Sequence, residues 1–579
     1  MPFVSFVIKL ELRRLLFEFE FKEGMNYNIP MVKIFEQAKK ILGCLVIWGR
    51  KIIGPGKSSK DNPPGLKQLP LDEQSFKKMI GRGFLYVDKT GYIAKLINSK
   101  LTYFFLSRPR RFGKSLLIST MKEVFSRNKR LFKNLRIYND IEWIKYPIIH
   151  FDFSKIGVDE TIPVKKALAD EVDKISRYYK LPISGGNHQT KFSALIENLS
   201  RKKKKPLVIL IDEYDHFIIR YITDDQRREI NRAQLKDFFS ILKGSSEFLR
   251  FVFITGVSRF SRVSIFSDLN NLIDLTFNPD YSAIAGYTEK ELLDYFPGFI
   301  EKFAQKENLA ADRLISLIRK WYNGYSWDGE TRVYNPFSIL NLFFNFRFGY
   351  YWYASSTPTF LIRSIRERKI KIHELDHIEV SRSKLENMEV TDLQLIPILF
   401  QTGYLTIMEK IEESIEHEKF LVDYPNKDVR YSFLNHLLED FSRENPRLID
   451  TISSAVQENR MDDALETMKT IFAGVPYNNF DYSSEASYHS LFHIILVLIL
   501  DNTGAQIQTN RGRIDQVIET DSRIYIFEFK LESAQKAIEQ IHEKKYYEKY
   551  RHRDKAIVLV GVSFSKQERN INDWIIQNL

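Results

Sequence analysis

The chain has 579 residues, 44% of them hydrophobic and 28% charged, with a formal net charge of +12. That length exceeds one hydrophobic core and calls for several domains, and the composition excludes a disordered chain. A single cysteine, Cys44, excludes an internal disulfide framework and a cysteine-built zinc site. The charge fits a polyanionic partner, and the cysteine count suits a reducing cytoplasm.

Residues 1–65 read as an extension. Lys9, Glu11, Arg13, Arg14, Glu18 and Glu20 interrupt its apolar start, which argues against a secretory signal. GRKIIGPGKSSKDNPPG (49–65) has linker composition. No stretch supports a membrane span of about 20 apolar residues, and LFHIILVLIL (491–500) reads as a buried helix.

Five apolar runs then alternate with helical patterns: YFFLS (103–107), PIIHFDFS (147–154), PLVILID (206–212), FVFITGV (251–257) and NLIDLT (271–276). Continuous apolar runs separated by helices predict a parallel sheet covered on both faces. Residues 66–280 are therefore expected to form a parallel-sheet α/β core of the P-loop type.

Between the first run and a helix lies SRPRRFGKS (107–115). A loop entering a helix N-terminus offers free N–H groups and a partial positive charge to phosphates. Gly113 allows close backbone approach, Lys114 is expected at the β- and γ-phosphates of ATP, and Ser115 on Mg²⁺. Arg111, Phe112 and Leu116 complete the expected nucleotide contact. Arg108 stands where the usual motif has glycine.

The run VILIDE (208–213) ends in two acids. Asp212 suits the Mg²⁺ shell and Glu213 the polarisation of an attacking water; Asp215 reads as structural. The next strand ends in TGVSR (255–259), which offers Thr255 and Ser258 as sensors near the γ-phosphate. Arg259 or Arg262 could reach a neighbouring copy as an arginine finger in a homo-oligomer.

Residues 281–345 read as a helical lid, opened by a capping box at Thr288–Glu291 and ending in WYNGYSWDG (321–329). Residues 346–480 read as a mixed adaptor without a metal or nucleophile signature. Residues 481–579 read as a compact α/β unit: helix 485–500, hairpin 505–531, helix 533–550 and strand 555–562.

In that last unit Asp515 precedes the strand RIYIFEFK (523–530). Period-two alternation puts Glu528 and Lys530 on one face, near Asp515 on the adjacent strand. Such hard oxygen ligands suit Mg²⁺, which polarises a phosphate and acidifies a bound water. Lys530 would orient that water or stabilise the developing negative charge. Glu485 is a further candidate metal ligand, and Gln540 and Tyr546 follow on the next helix. His489 and His493 lie one turn apart, but lack a Glu or Cys partner at metalloprotease spacing and read as structural.

From Leu69 onward the chain resembles bacterial and archaeal predicted AAA-ATPase-like proteins with a C-terminal PD-(D/E)XK nuclease-like domain. The resemblance is carried by SFKKMIGRGFLYVDKT (75–90), FLSRPRRFGKSLL (105–117), VILIDEYD (208–215), WYNGYSWDG (321–329), VYNPFSIL (333–340), QTGYLTI (401–407), YPNKDVRYSF (424–433), RIDQVIE and YIFEFKL. It implies an AAA+-like fold, ATP binding and a restriction-endonuclease-like final domain. The family's loop commonly reads RPRRFGKS, so Arg108 follows the family pattern.

Together these readings predict an α/β multidomain protein that binds and hydrolyses ATP and carries a Mg²⁺-dependent nuclease acting on DNA. The alternative is a nucleotide-dependent switch whose final domain binds nucleic acid or a partner without cutting.

Overall fold

Every residue of YFFLS is buried, so strand β1 (Tyr103–Ser107) can face water on neither side and belongs inside a sheet. The computed structural model describes residues 66–579 apart from 159–161, 184, 260–264, 267–268, 270, 353–364, 366–371, 387–394, 414–417, 442–445, 476–483 and 501–502. The expected extension at 1–65 and Arg262 lie outside the described residues.

The five apolar runs form one parallel sheet: β1, β2 (Ile148–Asp152), β3 (Leu207–Asp212), β4 (Leu249–Gly256) and β5 (Ile273–Asp274), in the order β2-β3-β4-β1-β5. β4 separates β1 from β3, with Ser107 opposite Gly256 and Ile211 opposite Ile254. The carboxyl ends of β1 and β3 therefore flank one strand end, where open α/β sheets place ligands. Helix α1 (Lys114–Phe125) leaves β1 through the loop 108–113 and buries Leu117, Ile118, Met121, Val124 and Phe125 against the sheet.

In the segment 281–345, β6 (Tyr287–Thr288) pairs with β7 (Val333–Tyr334) amid helices Glu289–Tyr295, Pro297–Glu307, Ala311–Tyr322 and Pro336–Asn345. The capping box forms as read: Thr288 accepts from the Glu291 amide, and Glu291 accepts from the Thr288 amide at 2.8 Å. Further on, β8 (Ile378–Ser381), β9 (Thr406–Glu413) and β10 (Glu418–Asp423) make an antiparallel sheet, followed by helix α2 (Lys427–Phe441).

The final unit contains α3 (Glu485–Ile499), β11 (Thr503–Thr509), β12 (Gly512–Glu519), β13 (Arg523–Lys530), α4 (Ala534–Lys544), β14 (Ala556–Ser565) and β15 (Asn570–Asn578). Its sheet runs β11-β12-β13-β14-β15, parallel between β13 and β14 and antiparallel elsewhere. The expected hairpin is thus a three-strand meander, and β15 is a strand the sequence reading missed. The helix expected over 533–550 is broken: Lys545 takes a left-handed φ of 50°, and a 3₁₀ turn, Tyr546–Tyr550, follows. Alternation sorts β13 between two cores. Tyr525, Phe527 and Phe529 pack toward α3, whereas Ile524 and Ile526 pack toward Ile538 and Ile541 of α4.

Among the described residues, no helix is long and apolar enough to cross a membrane.

Candidate functional site

The loop after β1 acquires its shape from two left-handed residues, Arg111 (φ 65°) and Gly113 (φ 88°). Glycine takes that conformation without the steric cost a β-carbon brings. Gly113 is also the N-cap of α1, and no side chain caps the helix. The leading N–H groups and the positive end of the helix dipole are left for an anion.

Arg108, in the position of the motif glycine, is fully buried. Its guanidinium donates to the carbonyls of Ser107 (2.9 Å), Thr276 (3.0 Å), Tyr281 (3.2 Å) and Ser282 (3.4 Å), and stacks 3.9 Å from the Trp327 ring centroid. The side chain thus fixes the start of the loop to two later segments. Phe112 packs edge-on against Tyr325 (4.8 Å) and Trp327 (5.5 Å), and Arg111 lies 3.8 Å over Phe337. A β-carbon on Gly403 would come within 2.8 Å of Pro109. The loop is therefore held from outside by WYNGYSWDG and QTGYLTI.

Inside the loop lies a cavity of about 550 Å³, within the range of small-molecule sites. Arg111, Phe112, Gly113, Lys114, Ser115, Leu116 and Glu213 all line it. Lys114 is buried, and its Nζ donates to the carbonyls of Arg108 and Pro109 at 2.8 Å each. Burial pulls its pKa down, partly opposed by Asp212, Glu213 and Asp215. Glu213 has a left-handed φ of 53° and stands 3.8 Å from His216, a lining residue that sequence reasoning missed. That histidine, with Lys114 and Arg110 assisting against burial, holds the Glu213 carboxyl below the usual range.

Two of the expected nucleotide residues are not among those lining the cavity. Asp212 and Thr255 are buried, and the Thr255 hydroxyl donates to Asp212 at 2.6 Å. Thr255 therefore presents its hydroxyl to the acid and not to the cavity. Ser258 is likewise buried, its amide donating to Asp215. Asp215 also accepts from Val257 N at 3.0 Å, the structural role expected of it. Arg259 is spent within the chain: its Nε pairs with Asp274 and its backbone N–H donates to Gln401 at 2.7 Å.

The rest of the cavity comes from segments without a local signature. Leu71, Met79, Tyr86, Ile284, Phe337 and Leu340 provide an apolar wall suited to a planar base. The free helix N-terminus, the buried ammonium and this wall fit a nucleoside triphosphate.

The second cluster lies where β12 and β13 part. Their backbone pairing runs from Glu519–Ile524 to Gln516–Phe527, and beyond it the Phe529 N–H donates to the Asp515 carboxylate at 2.9 Å. Glu528 Oε1 accepts from Lys530 Nζ at 3.0 Å and from Gln540 of α4, whose Nε2 also reaches Tyr546 at 3.3 Å. Glu528 Oε2 is buried without a partner. Burial, then the Asp515 charge and more distantly Glu485, push the Glu528 carboxyl up to about 8. For Lys530, burial is outweighed by Glu528, Glu485 and Asp515, and its pKa rises. The structure thus brings Asp515, Glu528 and Lys530 together, with Glu485 within their electrostatic reach.

An orphaned carboxylate oxygen beside a second carboxylate is the chemistry a divalent cation satisfies. Mg²⁺ commonly uses one or two carboxylates and keeps its waters, so the pair fits it. Among the described residues, no group of three His, Cys, Asp or Glu side chains is arranged to hold a metal ion.

Comparison with known proteins gives the family. Residues 70–266 match the family described as predicted AAA-ATPase, and residues 483–574 match the PD-(D/E)XK nuclease superfamily. The chain is 32% identical over 525 residues to a protein of Azotobacter chroococcum mcd 1 described as "Uncharacterized protein in vnfD 5'region", covering 89% of this chain and 99% of the relative. The chain belongs to the family of predicted AAA-ATPases that carry a C-terminal PD-(D/E)XK nuclease superfamily domain. Such domains point to the use of a nucleotide and a divalent metal in general. A solved structure, that of Drosophila ORC bound to GC-rich DNA and Cdc6, is similar at 10% identity with a TM-score of 0.22, covering 77% of this chain and 67% of that one. That score is too low to argue from.

Proposed function

We propose that this protein binds and hydrolyses ATP in the loop cavity and cuts DNA at the Asp515 cluster with Mg²⁺, in the cytoplasm. In this reading residues 66–280 are the ATPase core, 281–345 the lid, 346–480 the adaptor and 481–579 the nuclease, with 1–65 an extension. The observation that carries it is the partnerless, buried Glu528 Oε2 beside Asp515 and Lys530, in a chain that also lines a cavity with Lys114, Ser115 and Glu213.

At the nuclease site Asp515, Glu528 and, from the start of α3, Glu485 would hold the ion. The bound ion supplies Lewis-acid polarisation of the phosphate and an acidified water. Lys530, already hydrogen-bonded to Glu528, orients the water and screens charge developing on the phosphate. At the ATP site Lys114 would meet the phosphate oxygens in place of its two carbonyl partners, Ser115 and Asp212 would hold the Mg²⁺ shell, and Glu213 would orient the attacking water.

The test is plasmid and oligonucleotide cleavage with Mg²⁺ by the wild type, Asp515→Ala and Lys530→Ala, alongside ATP turnover by the wild type and Lys114→Ala. Equal cleavage by all three proteins rejects the nuclease assignment. One observation favours the switch reading: Asp212 and Thr255 are buried and bonded to each other. Tight ATP binding with negligible turnover and no cleavage selects that reading.

A further inference from the structure

The nuclease acids face α4, but the strand that carries Asp515 is gripped from the opposite face. Gln516, the next residue, is fully buried, and its Oε1 lies 3.0 Å from His493 Nδ1 on α3. The other His493 nitrogen, Nε2, faces Asp376 Oδ2 at 3.4 Å. The same Asp376 oxygen accepts from Arg430 of α2 at 2.6 Å. One turn earlier on α3, His489 lies within hydrogen-bonding reach of the Asp515 backbone and the Gln516 side chain. Its ring stacks on His373 at 3.9 Å, and His373 Nδ1 is 3.1 Å from Ser490 Oγ. A polar chain thus runs from α2 and the segment 373–376, through α3, to the residue beside Asp515.

The placement of this chain matters. Backbone pairing of β12 with β13 runs as far as Gln516–Phe527, and next to it Asp515 accepts the Phe529 N–H with its side chain. On its other edge β12 still pairs with β11 at Ile514 and Gln516, which keeps the strand in the sheet; the side-chain bonds to Gln516 add a directional restraint from the face. Apolar packing fills space without fixing rotation, whereas hydrogen bonds to an amide and an imidazole are directional. Partners one shell out from a metal ligand orient it in the same way.

We infer that Asp376 and His493 are positioning residues for the nuclease carboxylates, fixing Gln516 and the Asp515 backbone from the far face of the sheet. The inference rests on the nuclease reading for its catalytic consequence, but its structural content stands apart from it. The residues that complete the cleavage site then include Asp376 and Arg430, both outside the matched nuclease segment 483–574.

The experiment uses the full chain and the near-isosteric variants Asp376→Asn and His493→Gln, with Asp515→Ala as the control for lost cleavage. Peptide-resolved hydrogen exchange reads the Phe529 amide against the ladder residues Ile524–Phe527. Cleavage is measured as kcat, KM for DNA and the Mg²⁺ concentration at half-maximal rate. The expected result is faster exchange at Phe529 with an unchanged ladder. With it, kcat falls or the half-saturating Mg²⁺ rises by about 10–100-fold, while KM for DNA and ATP affinity stay within about twofold. Unchanged exchange at Phe529 in both variants overturns the inference whatever cleavage does. Uniform loss of protection across β11–β15 also overturns it, because the chain would then be core and not positioning. If the wild type does not cleave but Phe529 responds as expected, the nuclease reading fails and the positioning contact stands.

Discussion

Replacing Glu528 with glutamine tests the electrostatic account of the nuclease site without requiring cleavage. Burial and the Asp515 charge lift the Glu528 carboxyl from 4.5 to about 8, so at neutral pH the metal-free folded protein takes up a proton that the unfolded chain does not hold. The sign follows from linkage: the folded state binds more protons between the two values, so stability falls as pH rises through that window. At 1.36 kcal/mol per unit, folding at pH 7 forfeits about 3 kcal/mol on this group, against about 1 kcal/mol at pH 5. A neutral glutamine removes that cost. It keeps an oxygen for Lys530 and Gln540, and its amide takes the place of the buried, partnerless Oε2–H. Glu528→Gln should therefore stabilise the final unit in EDTA by up to about 3 kcal/mol at pH 7, with a gain that grows from pH 5 to pH 8. Added Mg²⁺ should stabilise the wild type and leave the variant unmoved. The assay is denaturant-dependent hydrogen exchange of β13, which isolates this unit within a multidomain chain. A gain that is absent at pH 8, or larger at pH 5 than at pH 8, refutes the reasoning.

Lys114→Ala should abolish binding of a fluorescent ATP analogue while leaving the hydrogen exchange of β13 unchanged, since the two sites stand on separate sheets. Arg108→Met strands carbonyls of Ser107, Thr276, Tyr281 and Ser282, and should cost about 3–5 kcal/mol in denaturant unfolding of the nucleotide-binding half. Phe112→Ala empties the space between Tyr325 and Trp327 and should destabilise by about 3–5 kcal/mol. Gly403→Ala adds a β-carbon 2.8 Å from Pro109 at a φ of 88°, and should weaken analogue binding roughly tenfold, about 1.4 kcal/mol, in the same titration.

What the sequence made legible was whatever neighbouring residues determine among themselves. A buried strand followed by Gly113-Lys114-Ser115 defines a helix N-terminus left uncapped by a side chain, and alternation alone places Glu528 and Lys530 together. The apolar cavity wall was not legible, because Leu71, Tyr86, Ile284 and Phe337 meet through tertiary packing. Arg108 was visible as a departure from glycine, but its carbonyl partners lie some 170 residues downstream. β15 was missed for a different reason. Its register shifts opposite Ser563 and Phe564, so Ile571, Trp574, Ile575 and Ile576 do not alternate cleanly. The break at Lys545 also lacks a local cue, since lysine is a good helix former. There the burial of Tyr546 beside Gln540 overrides propensity.

The outward clamp on the loop has a bearing on biosynthesis. By the time a ribosome has extruded residue 300, the loop, Asp212 and Glu213 have all been made. Tyr325, Trp327, Phe337 and Gly403, which brace that loop, have not. A nascent chain of that length carries the loop and both acids but still lacks the buttress that shapes the loop, so the loop's final form waits until translation is well past the midpoint.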